Sequence, residues 1–364
     1  MLSHQPPSAQ IAPTGPSASM SGSMNLDVQH LPKIELHNHL DGGVRVATLI
    51  ELADDVGHEL PARSPDELAA WLYQGDSGSL VTYLAAFEHT LAVMQKPEAV
   101  ERIAYEAGLD LAEDGIIYAE MRYAPVLTTR DGMSREDSIE ASLNGFARAQ
   151  QETGTIINLL VDAMRDLPDS LADARSAARF VGEGVVGFDL AGPEKGFPPS
   201  AHAEACRYAR EHGLHITVHA GEADGPDSIS GAITTCEAER IGHGVAIVDD
   251  ISAGGEMGPT ARLVHDRRIP LEVCPTSNLH TLRIPPQQHP LGRLYRYGFN
   301  ITLNTDNRLM SQVTLTDEFR LAIEHQGLVL SDLHQITRAA AEAAFTDAST
   351  RRKLLATIDA GYVT

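Results

Sequence analysis

Lys33-Ile-Glu-Leu-His-Asn-His39 is a short apolar run ending in a polar tip, and the same design recurs down the chain. Gly115-Ile-Ile-Tyr-Ala-Glu-Met-Arg122, Ile156-Ile-Asn-Leu-Leu-Val-Asp162 and Val185-Val-Gly-Phe-Asp-Leu190 follow it. His215-Ile-Thr-Val-His219, Arg240-Ile-Gly-His-Gly-Val245, Ile269-Pro-Leu-Glu-Val-Cys274 and Asn300-Ile-Thr-Leu-Asn-Thr-Asp306 bring the set to eight. Runs rich in Val and Ile read as strands, and every gap between them has room for at least one helix. Eight such units in 364 residues predict a (β/α)8 barrel, a fold of about 250 residues before insertions. A doubly wound open sheet fits less well. It offers one crevice, whereas a barrel gathers all the polar strand tips at a single mouth.

Residues 29–364 read as one barrel domain. The extra length falls between the first two strands, from Val44 to Asp114, and in terminal helices from Ser331 onward. Trp71, Tyr83 and Phe87 lie in the first insertion, either as a lid over the mouth or as ordinary helix packing. Residues 1–28 are rich in Ser, Pro, Ala and Gly and read as a disordered tail. The stretch to Asn25 has no Lys or Arg and no apolar h-region, so it does not read as a secretory signal.

Composition narrows the partners. Lys and Arg number 28 against 50 Asp and Glu, a formal net charge of -22, which disfavours nucleic acid and anionic membranes and suits a neutral or cationic small molecule. No run of about 18 apolar residues spans a bilayer. Cys206, Cys236 and Cys274 are widely spaced and form no CxxC pair, which argues for a reducing, cytoplasmic setting and against a thiolate metal cage. Oligomeric state is not legible.

Side chains two apart on a strand point the same way, with Cα atoms about 6.6–7 Å apart, so His37 and His39 face one direction. Alone, such a pair is modest evidence for a metal. His219 at the fifth tip, His243 in the sixth strand and Asp306 at the eighth change the weighing. Imidazoles and a carboxylate gathered at one mouth are costly to bury unless they are paired or bound to metal. Three imidazoles and one carboxylate with no thiolate suit Zn2+ with an open position for water. The fourth tip, Asp189-Leu-Ala-Gly192, offers no lysine to bridge a second ion, so one zinc per chain is expected. Glu222, three residues past His219, is placed to look into the mouth as a proton donor, although an exposed loop glutamate is the plain alternative.

Three look-alikes fail. Gly182-Glu-Gly-Val-Val-Gly187 matches GxGxxG, but it follows helical text and enters a strand, the reverse of a dinucleotide fingerprint. His202-Ala-Glu204 lacks the P-C-x-x-C partner of the cytidine-type deaminases. No G-x-S-x-G elbow supports a serine hydrolase.

Pro32-Lys-Ile-Glu-Leu-His-Asn-His-Leu-Asp-Gly42, Val218-His-Ala-Gly-Glu222, Arg240-Ile-Gly-His-Gly244 and Leu303-Asn-Thr-Asp306 together resemble the motifs of the adenosine deaminase family of metal-dependent amidohydrolases. Tyr118-Ala-Glu-Met-Arg-Tyr-Ala-Pro125 and Val186-Gly-Phe-Asp-Leu-Ala-Gly192 are similar to it too. The resemblance implies zinc-dependent hydrolysis of adenosine and 2'-deoxyadenosine to inosine and 2'-deoxyinosine plus ammonia. It implies that His37, His39, His219 and Asp306 hold zinc and that Glu222 protonates purine N1. It further implies that His243 steadies the attacking hydroxide, that Asp41, with His39 close by, meets the ribose, and that the Gly192 backbone meets the purine. By the same resemblance Asn307 would face N7; better-known members carry a second aspartate there, followed by proline where this chain has Arg308. An amide donates at any pH, so the hydrogen-bond logic survives the exchange. Free adenine, AMP and aminodeoxyfutalosine are sister substrates, and a non-catalytic nucleoside-binding relative is the alternative outside enzymes. Such a relative would lack a ligand or the proton donor, and this chain has both.

Overall fold

The computed structural model describes residues 27–363. The expected tail, apart from Asp27 and the fully buried Val28, lies outside them. Eight strands run in the order of the chain, every neighbouring pair parallel: β1 (Lys33–His39), β2 (Ile116–Tyr123), β3 (Ile156–Met164), β4 (Val185–Ala191), β5 (His215–Ala220), β6 (Arg240–His243), β7 (Leu271–Val273) and β8 (Ile301–Leu303). Helices intervene after each strand, the (β/α)8 alternation expected from the sequence.

Closure is made at the mouth. The Asp306 backbone N–H donates to His37 O at 3.0 Å and the His39 N–H donates to Asp306 O at 2.7 Å, joining the β8 exit to β1. One step further in, the Asn304 side chain takes over, its Oδ1 accepting from Leu36 N at 2.8 Å. The last two strands are shorter than the apolar runs suggested. Pro270 has no N–H for the ladder, and Asp306 sits at φ +63°, outside strand geometry.

Between β1 and β2 lie five helices, from Val46–Val56 to the 17-residue Pro97–Glu113, and four more follow β8. Tyr83 and Phe87 from the first insertion reach the mouth, whereas Trp71 stays 47% exposed, edge-on to His89 at 4.9 Å. The lid expectation thus holds for two of the three aromatics. The 249–260 segment is a capped turn: Asp250 Oδ2 accepts from Ala261 N at 2.8 Å, at the start of the helix Pro259–Asp266.

Candidate metal centre and substrate cavity

The β-strands deliver their polar tips to one point. His37 and His39 come from β1, His219 from β5, and Asp306 from the turn after β8; one donor atom from each lies within 4.8 Å of the others. His39 Nε2 is 3.1 Å from His219 Nε2, and Asp306 Oδ1 is 3.4 Å from both His37 Nε2 and His39 Nε2. Four donors held about 2.0–2.1 Å from a tetrahedral zinc lie about 3.3–3.4 Å from one another, so these separations match a zinc shell.

The second ring nitrogens explain why the Nε2 atoms are free for an ion. His37 Nδ1 is 2.9 Å from Glu272 Oε2, His219 Nδ1 is 3.0 Å from Asp189 Oδ2, and His39 Nδ1 is 3.3 Å from Asp162 Oδ2. A carboxylate facing Nδ1 holds the proton there and leaves a lone pair on Nε2 for a metal. His37 Nε2 is buried and has no hydrogen-bond partner, as expected of a ligand atom. Two imidazole lone pairs 3.1 Å apart repel unless a cation lies between them. Burial opposes a charged ring, yet Asp162, Asp306 and Asp41 carry His39 up to about 9. The residues fit zinc.

A layer further into the barrel holds the holders. Arg122 donates to Asp189 Oδ2 at 2.6 Å and to Glu272 Oε2 at 2.9 Å, tying together the carboxylates behind His219 and His37. Arg240 donates to Glu272 Oε1 at 2.6 Å and Glu120 Oε2 at 2.5 Å. All five side chains are essentially buried. Gly242 is needed for the rings to converge, since a Cβ there would lie 3.0 Å from His37 Cε1 and 3.1 Å from the His219 Cα.

Glu222 and His243 share the mouth with Asp306. His243 Nε2 is 3.6 Å from Glu222 Oε2. Burial, reinforced by the charges of Asp306 and Glu194, pushes the Glu222 carboxyl well above the usual range and so favours its protonated form. Burial likewise pulls His243 well below its ordinary value, against the opposing charge of Asp306. Asp306 is held well below the usual carboxylate range, because its histidine neighbours outweigh the cost of burial. Ser277 Oγ donates to its other oxygen at 2.6 Å. His243 and Asp306 both adopt positive φ, +60° and +63°, a conformation that non-glycine residues rarely hold away from turns and functional sites.

The loop bearing Glu222 is clamped by a residue that the sequence did not flag. Glu194, 3% exposed, accepts from four consecutive backbone N–H groups: Gly221 at 2.6 Å, Glu222 at 3.0 Å, Ala223 at 2.7 Å and Asp224 at 3.0 Å. Asp162, Asp189 and Glu272 were visible as charges in apolar runs. Which histidine each would face depends on the neighbouring strand.

In front of these groups opens a cavity of about 300 Å3. Leu80, Leu84, Phe87 and Leu91 form its apolar wall, and Asp41, Gly192 and Asn307 lie along it with His39, Glu222 and His243. No Lys or Arg lines it among the described residues. Asp41 Oδ1 has no partner, and burial raises its carboxyl to about 6. Asn307 Oδ1 is also unpartnered and lies where a Cβ on Gly42 would be, 2.0 Å away. The look-alike motifs are structural: His202 is bonded at both nitrogens, to Ser170 Oγ at 2.9 Å and Arg165 O at 3.1 Å. Gly182–Gly187 leads from the helix Ser170–Ala178 into β4.

Comparison with known proteins agrees with this geometry. The adenosine deaminase family profile matches residues 32–361. An adenosine deaminase of Mycobacterium marinum is 44% identical over 330 residues, covering 87% of this chain and 91% of that protein. The structure of an amidohydrolase from Burkholderia ambifaria with bound Zn superposes with a TM-score of 0.81 at 26% identity, covering 92% of this chain and 91% of that one. An Arabidopsis N6-mAMP deaminase gives a TM-score of 0.79 at 29% identity, covering 91% and 98%.

Proposed function

The chain belongs to the adenosine deaminase family, and from that premise we propose that it hydrolyses adenosine and 2'-deoxyadenosine to inosine and 2'-deoxyinosine with release of ammonia. The observation carrying this reading is the convergence of the four zinc-fitting donors beside the buried Glu222 carboxyl, at the end of a nucleoside-sized cavity. His37, His39, His219 and Asp306 would hold one zinc ion, which when bound lowers the pKa of a coordinated water to near 7.

The rest is done by this chain's side chains. Glu222 delivers its carboxyl proton to N1, which makes C6 electrophilic, and a water oxygen adds there. Asp306 orients that water and takes its proton. His243 donates from Nε2 to the oxygen as charge develops. The proton held by Asp306 leaves with the 6-amino group as ammonia, and the one remaining on the new oxygen restores Glu222, so the atoms balance. Asp41 meets the ribose hydroxyls, the Gly192 backbone meets the purine edge, and the Asn307 amide donates to N7. Residues 29–364 would serve as one barrel domain, and the three widely spaced cysteines with no CxxC pair support a reducing, cytoplasmic setting; no helix of the described residues is long and apolar enough to cross a membrane.

A 5'-phosphate suits this mouth poorly. Asp41, Asp162 and Asp166 line the cavity without a described Lys or Arg to balance a dianion. A spectrophotometric panel of adenosine, 2'-deoxyadenosine, AMP, free adenine and aminodeoxyfutalosine tests the reading. The two nucleosides should lead in kcat/KM; comparable AMP turnover or a preference for adenine overturns it.

A further inference from the structure

We propose that Asn278 and His289 are positioning residues that lock His243 in the tautomer with its proton on Nε2, making it a donor to the reacting oxygen instead of a fifth metal ligand. The proposal deepens the deaminase reading and rests on it for the identity of that oxygen.

His243 differs from the other histidines of the cluster in what stands behind it. His37, His39 and His219 each turn Nδ1 to a carboxylate, which can only accept. His243 turns Nδ1 to the side-chain amide of Asn278, with Nδ2 at 3.1 Å. The amide's other end is bonded as well: His289 Nε2 lies 3.3 Å from Asn278 Oδ1. Behind that, the Leu291 backbone N–H donates to His289 Nδ1 at 3.1 Å.

The direction of every bond in this row follows from its anchored end. A backbone N–H can only donate, so His289 Nδ1 accepts and its ring proton is on Nε2. That N–H donates to Asn278 Oδ1, which fixes the amide orientation and turns the NH2 group to His243. His243 Nδ1 must then accept, and its own proton lies on Nε2, the nitrogen facing Glu222 and the centre. Reversing any one bond sets two donors or two acceptors against each other. Burial without a charged neighbour pushes His289 down to about 3, so it stays neutral and the row does not change with pH in the working range. Asn278 and His289 are 0% and 3% exposed, and neither lines the substrate cavity. One cluster thus contains two tautomers, sorted by a carboxylate or an amide at the rear: lone pairs for zinc on three rings, a hydrogen for the substrate side on the fourth.

Nitrogen NMR of the zinc-loaded protein labelled with 15N-histidine reads the tautomer directly, without substrate. His243 should show a protonated Nε2 and an acceptor-type Nδ1. Asn278→Asp replaces the amide by a group that only accepts, so Nδ1 should become protonated. With zinc content unchanged, kcat should fall about 10²-fold, the range for losing one oxyanion donor, while KM moves only a few-fold. His289→Gln keeps both an acceptor for Leu291 and a donor for Asn278, and should retain the tautomer and kcat within a few-fold. His289→Leu removes both the donor to Asn278 and the acceptor for Leu291 N–H while leaving Asn278 in place; it should lower kcat while keeping zinc, a check that stands if Asn278→Asp fails to fold. A wild-type His243 protonated on Nδ1 alone overturns the proposal, as does a His289→Leu protein with unaltered kcat. Failure of the wild type to deaminate adenosine, with the Nε2–H signature present, would instead break the functional reading and uphold the relay.

Discussion

The barrel mouth and the layer just inside it are built from the same residue types to opposite ends. In the inner layer, both oxygens of Glu120, Glu272 and Asp189 accept at least one hydrogen bond, with Arg122 and Arg240 supplying the charge. At the mouth, His37 Nε2, Asp41 Oδ1 and Asn307 Oδ1 are buried and unpartnered, and two side chains sit on left-handed backbone. Unmade hydrogen bonds cost about 1–3 kcal/mol each; the mouth leaves these three atoms unpartnered, whereas the supporting layer leaves Arg122 Nε. The difference teaches where to look for function: carboxylates satisfied by the protein hold the site, and the unpartnered atoms at the mouth are the ones placed to meet an ion and a substrate.

If that division is right, perturbing the mouth costs activity and perturbing the inner layer costs stability. The largest effect should come from Glu222→Gln, which keeps shape but has no carboxyl proton for N1. Its kcat should drop about 10²–10⁴-fold with zinc content and purine riboside binding intact. A metal-free Glu222→Gln protein would make Glu222 a ligand and blur the comparison.

Next in size is Arg122→Gln, which leaves the carboxylates behind His37 and His219 without their shared cation. Breaking a buried pair costs about 3–5 kcal/mol, and the loss should appear as a lower denaturant midpoint at unchanged slope, with zinc affinity reduced about 10–100-fold. Normal stability would show that the inner layer does not carry the mouth.

A pH effect comes from Glu318 on the helix Leu315–Gln326, where burial raises the carboxyl to about 8. An acid whose folded pKa lies above its unfolded one destabilises the fold as pH climbs between the two, here from about 4.5 to 8. Stability of the wild type should decline across that window, and Glu318→Gln should flatten the decline. Melting curves at pH 5.5 and 8 compare the two proteins, and parallel declines would contradict the assignment. The smallest effect concerns Asn307. If its amide reads N7, 7-deazaadenosine should lose about 5–150-fold in kcat/KM, and equal turnover of the two nucleosides would remove that role.

Much of this architecture is legible in the sequence. Strand tips carry chemistry in a barrel because every strand points its C-terminal end to the same mouth, so His37, His39, His219, His243 and Asp306 identified themselves by position alone. Glu222 was legible by its offset from His219. What stayed hidden depends on contacts between distant segments: Asp189 behind His219, Glu272 behind His37, Glu194 under the 221–224 loop, and Asn278 behind His243. A buried charge inside an apolar strand, as in Leu271-Glu-Val273, is the one signal that pointed toward this supporting layer. No local pattern marks Asn278 or His289, whose significance comes from a neighbour on another element.

If the leftover donors at the mouth form one zinc site, adenosine turnover depends on that ion. The most direct test strips the metal with a chelator, restores zinc in measured increments, and follows bound zinc and adenosine deamination together. Activity should rise in proportion to bound zinc and saturate at one ion per chain. Saturation at two tightly bound ions, or full turnover in the metal-free protein, would contradict it.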